Sequence, residues 1–290
     1  MQAMTSSWWR LALLGAPALA LLVVFFVLPY GDMIAMSFRS PAAGAVYGPG
    51  FTLANYGIAL GDPFYLAVLV RTLALGATVT VLCLALAYPI ALHLARVSDR
   101  WHVLFYGLVV SPLLVGVLVR NFGWMIILSF DGPLNQVLLG LGLIDKPLRL
   151  LFNATVVVLA LVHVLVPFMV LPIVNALRAI EPALYEASQS LGASRLATFR
   201  RVTLPLSLPG VLAGTILVFV LAISAFVTPA LLGGQRVVLM SSIIIQQLIG
   251  AFAWPFGATL AMLLSLSTLG VVIGLTIISR PLMRRAARWS

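Results

Sequence analysis

Acidic side chains are scarce in this sequence: seven Asp and Glu stand against seventeen Lys and Arg in 290 residues, and only 8% of the chain is charged. A soluble domain is about 25% charged, so this composition excludes a water-exposed globule. An apolar content of 62% excludes a disordered chain as well. Cysteine is nearly missing. Cys83 alone, set in an apolar run, builds neither a disulfide framework nor a thiolate metal centre. His93, His102 and His163 lack metal-ligand spacing. His163 falls well inside an apolar run, as a structural histidine or a proton relay. No GxxxxGK[ST] loop is present to cradle a nucleotide, and Gly140-Leu-Gly142-Leu143 is a fragment of a dinucleotide fingerprint that fits a loop better. Asn153-Ala-Thr155 matches a glycan acceptor, a triplet common by chance.

What remains is hydrocarbon. The mean hydropathy of +1.16 and long uncharged runs describe an all-α polytopic membrane protein, with residues 1–290 forming one transmembrane domain. The runs are 11–31, 72–95, 103–119 (extendable towards 130), 150–177, 211–232 and 256–279. Each reaches or approaches the ~20 residues that cross about 30 Å of lipid. The first is too long for a cleaved signal core and is expected to be retained. None of the six contains a carboxylate, which argues against an ion-coupled secondary carrier, since such carriers usually need a mid-membrane acid or a broken-helix ion site.

Six crossings put both termini on one side. With the N-terminus inside, eleven of the seventeen basic residues fall on inner segments, the C-terminal RRAAR cluster among them. Arg39, Lys146, Arg149 and Arg236 lie outside, and Arg71 and Arg120 lie near the outer span ends. The asymmetry favours N-in, C-in and explains the net charge of +10 without nucleic acid. The outer segment 32–64 carries Pro41, Gly44, Gly48, Pro49, Gly50 and Pro63 and is expected to be mostly irregular or interfacial backbone.

The inner loop 178–207 is the informative stretch. Pro182 suits a first helical position, with Glu181 at the positive helix start. Leu184, Ala187, Ser188 and Leu191 recur with helical spacing, and Gly192 supplies a left-handed cap. Ser194 caps a second short helix, which Leu204-Pro205 is expected to end before the next span. Pattern alone leaves two readings, an amphipathic helix resting on lipid or a docking element for a soluble partner.

At this loop the sequence resembles the permease subunits of bacterial ABC importers. Glu186-Ala187-Ser188, Gly192 and Val202-x-Leu204-Pro205 match the EAA---G---------I-LP signature, with Ser188 in place of alanine and Val202 in place of isoleucine. Stretches 51–60, 113–128, 141–153, 225–234 and 254–261 are similar to spermidine/putrescine-type permeases, particularly the first of their two permease subunits. The resemblance implies a pore-forming subunit in the bacterial inner membrane. Its implied partners are a second permease, two ATPase subunits that carry the ATP and Mg, and a periplasmic binding protein. Glu186, Ala187, Ser188, Gly192, Leu204 and Pro205 would form a cytoplasmic coupling helix between spans four and five, seated on an ATPase. This chain itself would hold no cofactor or metal and would catalyse nothing.

The path is harder to read. Arg120, Trp124 and Phe226 are its candidate lining or outer-gate residues. The aromatics suit a polyamine through cation–π contact, while Arg120 has the wrong sign for a cation. Amino-acid or sugar-conjugate solutes therefore remain alternatives to a polyamine.

Overall fold

The computed structural model describes residues 5–42 and 46–286, and its regular structure is helical apart from one isolated bridge between Arg39 and Phe51. In chain order the α-helices are α1 (Thr5–Leu22), α2 (Leu28–Ser37), α3 (Ala54–Gly61), α4 (Pro63–Arg96), α5 (Asp99–Leu114), α6 (Val117–Ile127), α7 (Pro133–Gly140), α8 (Ala154–Arg178), α9 (Pro182–Ser190), α10 (Arg195–Thr198), α11 (Leu204–Ser224), α12 (Met240–Ile245) and α13 (Trp254–Ala286). Five continuous helical runs are long and apolar enough to cross a bilayer: Leu14–Ser37, Pro63–Arg96, Ala154–Arg178, Arg195–Ser224 and Trp254–Pro281. The C-terminal basic cluster ends at Arg288, outside the described residues.

The third apolar run is not a straight span. α5 and α6 meet at 93°. Pro112 removes a backbone donor from the last turn of α5, Val115 is extended, and Gly116 starts α6 from an extended conformation. The fifth run is also interrupted. α11 stops at Ser224, Ala225 is extended, and a π-helical turn follows at Pro229–Gly233.

The segment 32–64, expected to be mostly irregular or interfacial backbone, is partly helical. It is helical through Ser37, again in α3, and from Pro63 onward. Among the described residues, 38–42, 46–53 and Asp62 lie outside helix, and Pro41, Gly48, Pro49 and Gly50 are concentrated in the first two stretches. Those two stretches are pinned by backbone bonds from Ser40 N–H to the Gly50 carbonyl (3.0 Å) and from Thr52 N–H to the Phe38 carbonyl (2.7 Å).

Two compact units are formed. The first comprises residues up to Leu66 together with Ile243–Ser265. Its organising contact is the Ser37 carbonyl at the end of α2, an orphan acceptor by helix geometry. It accepts from the Asn55 amide (3.3 Å) and from the Thr259 hydroxyl (2.9 Å), both buried. Tyr65 meets Phe256 edge to face, with centroids 5.1 Å apart.

The second unit comprises Ala67–Ser242 and the chain from Leu266. α8 is its centre: Val157, Met169, Val170 and Ile173 are fully buried. α11 packs along it through small residues, as lipid-embedded helices do where apolar burial gives no net drive. Gly210 lies on the Pro172 carbonyl and Gly214 on Met169, while Gly76 of α4 receives Phe219 and Ile223. Cys83 is buried in this core and belongs to no group of three or more His, Cys, Asp or Glu among the described residues. The Thr72 hydroxyl accepts the Met240 N–H at 2.9 Å, satisfying one orphan donor at the start of α12.

Candidate functional site: the inner loop and the broken span

The inner loop folds by its own local chemistry. Pro182 occupies the first helical position of α9, where a missing N–H costs nothing, behind an extended Glu181. α9 ends in a Schellman motif: Gly192 N–H reaches the Gln189 carbonyl (2.9 Å) and Ala193 N–H reaches the Ser188 carbonyl (3.1 Å). That geometry requires a left-handed residue, and Gly192 has φ +76°. The Ser194 hydroxyl then accepts from Ala197 N–H at 3.3 Å and caps α10.

Ser188 departs from the alanine of the signature, and its hydroxyl explains the departure. It shares a 2.8 Å hydrogen bond with the hydroxyl of Thr198, which is buried, and so ties α9 to α10. α9 buries none of its residues, and Glu186 and Ala187 are exposed. The weakly apolar face divides in two. Leu184 packs on the core, whereas Leu191 is 87% exposed beside Gly192.

One expectation fails here. Leu204-Pro205 does not end the second helix. The chain passes from α10 through a π-helical turn at Phe199–Thr203 directly into α11, and Arg195–Ser224 is one continuous run of 30 residues. Leu204 N–H bonds five residues back, to the Phe199 carbonyl. The wider turn shifts the hydrogen-bond register, and Pro205, which has no N–H to place, enters at the first positions of α11.

At the break between α5 and α6, Arg120 has a definite task. Its Nη1 donates to the carbonyls of Pro112 (3.0 Å) and Val115 (3.1 Å), acceptors freed by the bend. Trp124 lies one turn further along α6 and meets the His163 ring of α8 edge to face at 5.7 Å and 79°. Phe226 lies in the break after α11, and α6 packs against the neighbouring Pro229–Gly233 turn. Replacing Arg120 with Met should leave the two carbonyls without a donor and cost about 1–2 kcal/mol. A lower melting temperature of the solubilised chain, with the exposed neighbour Phe122→Ala unaffected, is the expected result.

Three further residues near these breaks have surroundings that the sequence did not reveal. Asn121 is 1% exposed and neither atom of its amide has a hydrogen-bond partner among the described residues, an arrangement no spacing rule reveals. Phe152 is held at φ 61° by a bond from its N–H to the Leu232 carbonyl (2.8 Å), and its ring covers Gly234. Asn153 was legible only as a glycan triplet. It is the N-cap of α8: its side-chain oxygen accepts from Val156 N–H at 3.0 Å, and its amide donates to the Leu150 carbonyl.

Among the described residues the regular structure is helical, with apolar runs long enough to cross a membrane, and residues 11–280 match the family model described as binding-protein-dependent transport system inner membrane component. The chain belongs to that family and is a multi-pass protein of the inner membrane. It is 37% identical over 257 residues to the spermidine/putrescine transport system permease protein PotB of Escherichia coli, covering 89% of this chain and 91% of that one. The PotB protein of Haemophilus influenzae is 33% identical over 240 residues, 83% of this chain and 84% of the relative. Among solved structures, the fold is similar to that of a bacterial alginate ABC transporter in complex with an alginate pentasaccharide-bound periplasmic protein. That match has a TM-score of 0.78 at 18% identity over 95% of each chain. A methionine ABC transporter in an inward-facing conformation gives 0.59 at 18% identity, over 75% of this chain and 95% of that one.

Proposed function

We propose that this chain is one of the two permease subunits that form the pore of an ATP-driven importer for polyamine-type solutes. In this reading the chain crosses the membrane six times with both termini inside. The α5–α6 pair counts as one broken crossing, and 229–250 is a re-entrant segment. Residues 178–207 then face the cytoplasm and dock on an ATPase subunit, which supplies ATP and Mg. A periplasmic binding protein delivers the solute from outside.

The observation that carries the reading is the inner loop itself. Its turn is rigidly capped at Gly192, its α9 surface is free, and α10 runs without interruption into a span. A polyamine is favoured over other small organic solutes by the 37% identity to PotB. The one residue of the wrong sign, Arg120, is engaged with backbone carbonyls at the break. It is therefore not a free positive charge set against a polycation.

The test is reconstitution in vesicles with a partner permease, ATPase subunits and binding protein. Uptake of spermidine or putrescine should require ATP and the binding protein, and the purified chain alone should hydrolyse no ATP. Uptake that follows a proton gradient without ATP would sink the proposal.

Selectivity then belongs to the binding protein. The polar groups near the outer breaks, Arg120 and Asn121 among them, are few, and a pore that must release its cargo gains from weak sites. Calorimetry on the transporter without its binding protein should detect no polyamine binding tighter than roughly millimolar, about 4 kcal/mol of affinity. Micromolar binding lost on Trp124→Ala would place a specificity site in this chain instead.

A further inference from the structure

Behind α9, a cavity of about 760 Å³ opens between the inner ends of α4 and α8 and the start of α10. Each of these three elements contributes one arginine to its wall: Arg96, Arg178 and Arg195. Among the described residues no Asp or Glu lines it, although Glu181 stands in sequence between the lining residues Ile180 and Pro182. Tyr185 and Gln189 add hydrogen-bonding side chains from the inner face of α9. Arg178 makes one long contact, Nη2 to the Leu94 carbonyl at 3.5 Å, which leaves most of its guanidinium donors for another acceptor.

A second feature of the wall points the same way. Thr203 is 1% exposed, and its hydroxyl is buried without a hydrogen-bond partner among the described residues. The π-helical turn at Phe199–Thr203 displaces this residue from ordinary helical register. Buried hydroxyls are nearly always satisfied, so Thr203 stands at the cavity wall with a shielded donor that lacks an acceptor.

We infer that this cavity is an anion site that takes a phosphate group, held by Arg96, Arg178 and Arg195 with Thr203 at its inner wall. Three guanidinium groups without a carboxylate call for a counter-anion. A planar guanidinium matches the paired oxygens of a phosphate better than it matches a spherical ion. The site joins three elements, so its occupant fixes the base of the α9–α10 hairpin to the ends of α4 and α8. A phospholipid headgroup and free inorganic phosphate offer the same oxygens.

The test uses the delipidated full chain in a neutral detergent and two probes. One is inorganic phosphate, followed by ³¹P NMR. The other is phosphatidylglycerol, followed by native mass spectrometry against phosphatidylcholine. Binding of phosphate assigns a soluble anion, and retention of phosphatidylglycerol alone assigns a lipid; either result supports the site. Arg178→Gln with Arg195→Gln should weaken the bound probe at least tenfold. Thr203→Val should weaken it where Thr203→Ser does not. Arg200→Gln with Arg201→Gln, which lie outside the cavity, should leave it intact. The inference is overturned if neither probe binds, if the Arg178/Arg195 variant binds as well as the parent, or if adding an ATPase subunit expels the probe and fills the cavity with a protein side chain. Because binding is read on this chain alone, its failure leaves the transport proposal untouched.

Discussion

Gly192→Val is expected to abolish uptake while the protein still inserts at its normal level. The position is open: a Cβ built there meets nothing within 4 Å, so no clash contributes to the effect. The whole cost is conformational. At φ +76° a β-branched residue is strained by about 1–3 kcal/mol, and the Schellman bonds to Gln189 and Ser188 depend on that φ. α9 has no buried residue with which to resist, so the strain is relieved by reorienting the hairpin rather than by unfolding the bundle. Gly192→Asn, which tolerates the left-handed region, should retain most of the transport. Uptake and membrane abundance measured side by side decide the matter, and near-normal uptake by the valine variant would remove the loop from the mechanism.

Gly210→Ala should have the opposite signature, with the protein lost rather than its coupling. A methyl group there would strike the Pro172 carbonyl of α8 and would lie 2.6 Å from the Ala176 Cβ. Backbone cannot yield as a flexible side chain can. The helices must separate along the interface that organises the second unit, at a cost of about 2–3 kcal/mol. Gly107→Ala, where a Cβ meets nothing, is the matched control and should be neutral. Thermal unfolding of the two variants in detergent, together with their abundance in membranes, distinguishes them. A Gly210→Ala protein as stable as the parent would show that α8 and α11 pack less closely than described.

The sequence made the inner hairpin legible nearly residue by residue, because Pro182, Gly192 and Ser194 act through local backbone chemistry that depends on few neighbours. It misjudged Leu204-Pro205 because the outcome there turns on hydrogen-bond register. A π turn lets proline continue a helix that the usual rule would end. Apolar runs located the spans but not their breaks. Hydropathy is blind to direction, so α5 and α6 looked like one run although they meet at a right angle. Arg120 was conspicuous as a charge near a span end, yet its bonding to Pro112 and Val115 depends on that bend and could not be read beforehand. Proline and glycine counted across 32–64 suggested mostly irregular or interfacial backbone, and the stretches that flank the turn-rich part, α2, α3 and the start of α4, form helix.

The unbroken passage from α10 into α11 makes the 30 residues Arg195–Ser224 a lever. At 1.5 Å per residue its length is about 45 Å. A pivot of only about 10° at one end of such a rod sweeps the other through ~8 Å, more than the rise of a single helical turn. The far end stops at Ser224, just before the extended Ala225 and the break that holds Phe226. A small rocking of the hairpin is thereby magnified, without any relay of side chains, into a displacement comparable to the diameter of a hydrated solute.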